Sequence, residues 1–188
     1  MGLLVNGVWS AKWYDTEKSG GKFVRENASF RNWVTKDGRA GPTGDEGFIA
    51  ESGRYHLFVS HACPWAHRTI IYRHIKSLND HVSISVVHPL MLDKGWTFEI
   101  DEFATGDNLY GYDFLYQIYQ MACKDFTGRV TVPVLWDKQT KQIVSNESSE
   151  IIRMFNSAFD AVTGNDLNFC PLDKLDSIDE VNNDVYNN

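Results

Sequence analysis

Tyr55-His-Leu-Phe-Val-Ser-His-Ala-Cys-Pro-Trp-Ala-His-Arg68 is the stretch that decides the fold. Its first six residues read as a short buried strand, and Cys63-Pro64 then opens a segment of helical spacing that runs to about Leu78. Proline suits the first helical position, where the N–H it lacks would have no partner. Val82-Ser-Ile-Ser-Val-Val87 reads as a second strand. Strand, helix and strand make one βαβ unit, with parallel strands and a right-handed crossover.

Working outward, a polar, glycine-containing loop is expected over residues 89–112. A helix follows over 113–123, with Phe114, Leu115, Ile118, Tyr119 and Ala122 on one face. Val130-Thr-Val-Pro-Val-Leu-Trp136 and Gln142-Ile-Val-Ser145 flank a polar Asp-Lys-Gln-Thr-Lys turn, which predicts an antiparallel hairpin. A helix over 148–155 closes the unit. The order β-α-β-α-β-β-α is that of the α/β thioredoxin-like fold.

Three divisions follow. Residues 1–54 form a loop-rich N-terminal extension with no sustained period, yet its aromatics Trp9, Trp13, Phe23, Phe30 and Trp33 are too many for a disordered tail. It is expected to pack on the core. Residues 55–160 form the thioredoxin-like domain, and 161–188 a linker around Thr163-Gly-Asn-Asp followed by the start of a truncated all-α domain. Loss of that domain is expected to leave the 113–123 helix face exposed.

Composition narrows the function classes. A chain of 188 residues, 43% of them hydrophobic, suffices for one buried core. A formal charge of −7 without clustered Lys and Arg excludes a nucleic-acid binder. No apolar run reaches the ~20 residues that span a bilayer, and the N-terminus has no secretory signal pattern. Three widely spaced cysteines, Cys63, Cys123 and Cys170, fit a reducing compartment, hence the cytoplasm.

Cys63 carries the chemistry. A thiol between a strand and a Pro-opened helix faces helix-start amides and the positive dipole end, which favour the thiolate; Arg68 adds positive charge. The alternative, an inert buried cysteine, leaves Pro64 at the turn unexplained. Dithiol oxidoreductases of this fold place a second cysteine where Ala66 stands, so a mixed disulfide on Cys63 needs an external thiol, unless Cys123 or Cys170 swings in. Glutathione is the abundant candidate. A metal site on His61, Cys63 and His67 lacks a fourth ligand, and no metal is expected.

Two further signals are weaker singly than together. Val132-Pro133 at a strand head is, in this fold, a cis bond that turns the preceding backbone toward the thiol; read alone, an edge-strand proline explains it equally well. Ser145-Asn-Glu-Ser-Ser-Glu150 enters the last helix, where Ser148 and free amides suit a carboxylate and Glu147 a ligand ammonium, although the motif also serves as an N-cap.

These residues resemble the glutathionyl-hydroquinone reductases, the Xi class of the glutathione transferase superfamily. The resemblance runs from Gly7-Val-Trp and Gly20-Gly-Lys-Phe through Phe30-Arg-Asn-Trp33, Cys63-Pro-Trp-Ala-His-Arg68, Pro89-Leu-Met-Leu, Gly95-Trp-Thr-Phe98 and Gly128-Arg-Val-Thr-Val-Pro-Val-Leu-Trp136 to Ser145-Asn-Glu-Ser. It implies that Cys63 attacks the sulfur of an S-glutathionyl-hydroquinone and that glutathione, the co-substrate, regenerates the thiol. It further implies that Trp96 lies over glutathione, Arg129 meets a carboxylate, Val130, Thr131 and Val132 offer backbone contacts, and Glu147 and Ser148 hold the γ-glutamyl end. The family's proton-donor tyrosine is expected beyond residue 188, so Tyr186 does not inherit that role. A homodimer is implied for the full-length protein. An omega-like thioltransferase or dehydroascorbate reductase, and a non-catalytic glutathione-binding module, are the competing readings.

Overall fold

The computed structural model describes residues 2–12, 20 and 27–187. Trp13, Phe23 and the Gly-Lys-Phe of the second quoted motif lie outside them.

A four-stranded sheet of order β6-β5-β8-β9 forms the centre. Strand β5 (Tyr55–Val59) is buried along its whole length, and helix α1 (Pro64–Ile75) leads from it to β6 (Val82–Val86), parallel to β5. Helix α2 (Leu115–Ala122) precedes the antiparallel β8 (Val134–Asp137) and β9 (Gln142–Ser145), and α3 (Ser148–Ser157) returns to pack against α1. This is the thioredoxin-like order expected from the sequence.

The differences have local causes. The strand expected from Val130 begins only at Val134, because Pro133 has no N–H for a ladder and the Thr131 backbone pairs with the Tyr119 hydroxyl. Helix α1 stops at Ile75, three residues short, where Lys76 caps it and Ser77 turns to a φ of 58°. His56, fully buried within β5, contacts the Ser83 and Ser85 hydroxyls at 2.7 and 2.9 Å, and burial pushes its pKa down to about 3, so it packs as a neutral ring.

Among the described residues, the N-terminal extension contains four three-residue strands. β1 (Leu3–Val5) pairs with β2 (Val8–Ser10) and with β7 (Gly128–Arg129), while β3 (Trp33–Thr35) pairs in parallel with β4 (Gly47–Ile49). Leu4, Val34 and Phe48 enter the common core. The extension also corrects one expectation: the apolar face of α2 is covered. Leu115, Ile118 and Tyr119 are buried, Trp9 stacks on Tyr116 with ring centroids 4.9 Å apart, and the Gln120 amide donates to the Gly7 carbonyl at 2.7 Å. Exposed apolar groups lie elsewhere: at Val8, at Leu90, Leu92 and Ile100 in the loop after β6, at Leu172, and on α5 (Leu175–Asn187) at Val181, Val185 and Tyr186. A short helix, α4 (Asp160–Thr163), closes on Gly164, whose φ of +69° accommodates the left-handed turn into the linker. No helix among the described residues is long and apolar enough to cross a membrane.

Candidate functional site

Cys63 is the N-cap of α1, with Pro64 in the first turn. Its N–H donates to the Ser60 carbonyl at 3.2 Å and its carbonyl accepts from His67 at 3.0 Å, so the backbone fixes the side chain at the mouth of the helix. The sulfur lies 3.6 Å from the Val132 carbonyl oxygen, and the Val132-Pro133 bond is cis. The Val132 N–H pairs with no group among the described residues, which leaves it able to meet an extended ligand backbone.

Arg68, one and a half turns along α1, reaches the turn that starts α3 (Ser148–Ser157). Its Nε and Nη2 donate to the Ser148 hydroxyl at 3.0 and 2.7 Å, Nη2 lies 3.7 Å from Glu147, and the guanidinium covers the Trp65 ring at 5.3 Å. It thereby ties the thiol helix to the turn that starts α3. Glu147 caps that helix by accepting from the Ser149 N–H at 3.0 Å, which is the N-cap role read for the motif. Ser148 is 1% exposed.

The remaining residues named from the sequence are spread around this centre. Val130 and Val132 are buried, and both backbone groups of Thr131 are bound by the Tyr119 hydroxyl. Arg129 donates to the Lys12 carbonyl at 2.9 Å. Trp96 is 8% exposed and packs into the core, its carbonyl accepting from Leu115. The loop that carries it approaches Trp9 closely: a Cβ on Gly95, at φ +71°, would lie 2.6 Å from that ring. Tyr186 lies beside Trp65, ring centroids 6.4 Å apart. A cleft of about 570 Å³ opens between Trp65, Arg68, Glu147, Arg31, Arg153 and Tyr186. Among the described residues no group of three or more His, Cys, Asp or Glu could hold a metal ion.

Two arrangements escaped sequence reasoning. Arg31 pairs with Glu150, which also accepts from Thr43 at 2.7 Å, so the N-terminal extension grips the first turn of α3. Asn146 and Tyr119 bridge the turn to the Val132 loop. Asn146 lay inside a quoted motif, but nothing in a sequence marks which way its amide faces.

A helix-capping thiol that faces the residue before a cis-proline, in a sheet of this order, defines the thioredoxin-like fold. The model of the glutathione S-transferase N-terminal domain matches residues 62–158. The chain belongs to that family, and Xi-class transferases are among the solved structures it resembles. It is 58% identical over 188 residues to glutathionyl-hydroquinone reductase YqjG of Escherichia coli, an alignment covering 99% of this chain and 57% of that protein. The glutathione-bound structure of YqjG superposes with a TM-score of 0.86 at 52% identity, over 99% of this chain and 55% of that one. The Xi-class transferase of Natrialba magadii gives 0.83 at 39%, over 99% and 54%. The chain thus spans a little over half the length of the relatives it matches.

Proposed function

We propose that the protein reduces S-glutathionyl-hydroquinones to hydroquinones with glutathione as co-substrate. The observation that carries this reading is Cys63 itself, capping α1 with its sulfur 3.6 Å from the Val132 carbonyl and no cysteine at Ala66. The Cys63 thiolate attacks the sulfur of the thioether. The sulfur–carbon bond breaks, the aromatic carbon leaves with the electron pair and takes a proton, and Cys63 is left as a mixed disulfide with glutathione. A second glutathione thiolate attacks that disulfide, releasing glutathione disulfide and the Cys63 thiolate. The ring carbon gains two electrons, which the two glutathione sulfurs lose.

Val132 offers its N–H to the cysteinyl backbone of glutathione, with Val130 and Thr131 shaping that wall. Glu147 and Ser148 receive the γ-glutamyl end, Arg129 a carboxylate, and Trp96 flanks the ligand. Residues 1–54 serve as a scaffold, 55–160 as the glutathione-binding domain, and 161–188 as the approach to a helical domain that supplies the proton donor and much of a homodimer interface. The cytoplasm suits the three free cysteines. The names of the relatives that match 99% of this chain support the hydroquinone substrate over the omega-like reading.

The test mixes the chain with one equivalent of S-glutathionyl-menadiol and follows menadiol by absorbance and Cys63 by intact mass. One glutathione on Cys63 with stoichiometric menadiol release, both absent in Cys63→Ala, is expected. No adduct, with a chain extended through the helical domain failing as well, refutes the assignment.

A further inference from the structure

Two loops that the proposed reaction uses meet at one buried phenol. Tyr119 has no exposed surface, and its hydroxyl donates to the Thr131 carbonyl at 2.9 Å while accepting from the Thr131 N–H at 3.2 Å and the Asn146 amide nitrogen at 3.2 Å. One donor and two acceptors are all a hydroxyl possesses, so its capacity is filled. The orientation of Asn146 is fixed independently: its side-chain oxygen accepts from the Phe30 N–H at 3.1 Å, which turns its NH₂ toward Tyr119, and its own N–H donates to the Phe30 carbonyl at 3.1 Å. Thr131 immediately precedes Val132, whose carbonyl faces the Cys63 sulfur. Asn146 immediately precedes Glu147 and Ser148.

We infer that Tyr119 and Asn146 are positioning residues that hold the Val132 loop and the Glu147-Ser148 turn at the separation of the cysteinyl and γ-glutamyl ends of glutathione. The inference rests on the reading of those two segments given above. A tripeptide anchored at both ends gains from the second contact only if the two anchors stand the right distance apart, since the first contact has already met the cost of orientation. A small thiol or disulfide with no γ-glutamyl group touches only the first anchor. Loss of the bridge therefore penalises glutathione selectively, whereas a purely structural role for Tyr119 gives no such selectivity.

The rate at which Cys63 forms a mixed disulfide reads this directly, with glutathione disulfide as one oxidant and hydroxyethyl disulfide as the other. In each case the Cys63 thiolate displaces one thiolate of the oxidant, and intact mass reports the adduct. Tyr119→Phe and Asn146→Ala are each expected to slow the glutathione disulfide reaction by about five- to tenfold, the scale of one buried hydrogen bond, and to leave the hydroxyethyl disulfide rate within twofold. The double variant is expected to be no slower than the worse single one, because both remove the same bridge. Equal slowing with the two oxidants, or no slowing with either, overturns the inference. Should Tyr119→Phe fail to fold, Asn146→Ala decides alone. A wild-type chain that shows no preference for glutathione disulfide refutes the glutathione site itself, and the inference falls with it.

Discussion

Arg68→Ala tests whether α1 and the start of α3 form one binding unit. The guanidinium makes two hydrogen bonds to Ser148 and lies against Trp65 and Glu147. Its side chain is 31% exposed, so the ~1.5–3 kcal/mol of a charge-assisted hydrogen bond is reduced by solvent, to about 1–2 kcal/mol for the pair together. The stacking on Trp65, itself 40% exposed, adds about 0.5 kcal/mol. The variant should thus lose about 2 kcal/mol, which at the unfolding entropy of a chain this size lowers Tm by about 5 °C.

The consequence for binding is separate. Ser148 is nearly inaccessible and loses both guanidinium donors, so its hydroxyl is left to seek the backbone and the turn shifts. Glutathione affinity, measured by calorimetric titration well below Tm, should fall about tenfold, equal to ~1.4 kcal/mol. Arg68→Lys keeps the charge but cannot fork onto Ser148, and should recover less than half of that loss. An Arg68→Ala chain with unchanged glutathione affinity would refute the reasoning, whatever its Tm.

Arg54 and Asp137 concern stability. Arg54 donates to both carboxylate oxygens of Asp137, at 3.0 and 2.6 Å, and the Asp137 side chain has no exposed surface. Burial pushes the Asp137 carboxyl up, but hydrogen bonds from Arg54, the Gln139 N–H and Thr140, with the Arg54 charge, hold it below the usual carboxylate range. A carboxyl lowered in the folded state stabilises above its unfolded pKa of ~3.9, and that contribution is lost as pH falls through the folded value. Arg54→Met should cost about 3 kcal/mol at neutral pH and move acid unfolding, followed by circular dichroism, to higher pH; an unchanged acid midpoint contradicts this. Lys76, 1% exposed, donates to the Asn165 carbonyl at 2.9 Å and to that of Leu167, and lies 3.0 Å from Asp160. Lys76→Met should raise limited proteolysis within residues 160–170 about tenfold and leave Cys63 adduct formation intact, and a cleavage rate equal to wild type would show that Lys76 does not anchor the linker.

The parts of the fold legible in the sequence are those with a period or a punctuation mark. Tyr55–Val59 and Val82–Val86 are apolar runs of strand length, and Pro64 marks where α1 begins. The strands of the N-terminal extension were illegible because three residues carry no period, and one pairing, Leu4 opposite Gly128, lies far along the chain. The place of Cys63 at the mouth of α1 was legible because Pro64 marks the helix start. Tyr119 was not, since on the apolar face of α2 it reads as one more core aromatic, and only the fold brings Thr131 and Asn146 to its hydroxyl. The hydrogen bonds from Arg68 to Ser148 were not legible, because the two residues lie 80 positions apart and only the fold brings them together.

The extension supplies none of the groups assigned to the reaction, yet it backs three of the loops that do. Trp9 donates to the Asp93 carbonyl at 3.0 Å and presses on Gly95, next to Trp96. β1 pairs with β7, and Lys12 accepts from Arg129, where the Val132 loop begins. Residues 30–32 lie along the end of β9, with Asn32 donating to the Val144 carbonyl at 2.9 Å, Phe30 bonded to Asn146 and Arg31 to Glu150. Each of these loops hydrogen-bonds outside the central ladder, so without the extension its backbone would depend on water for partners and on its own chain for shape. The proposed thiol exchange needs the sulfur, the two segments proposed to anchor glutathione and the leaving group in register, and displacements of an ångström are costly there. The described residues of the N-terminal extension are therefore best understood as the part of the protein that makes three separate loops behave as one surface.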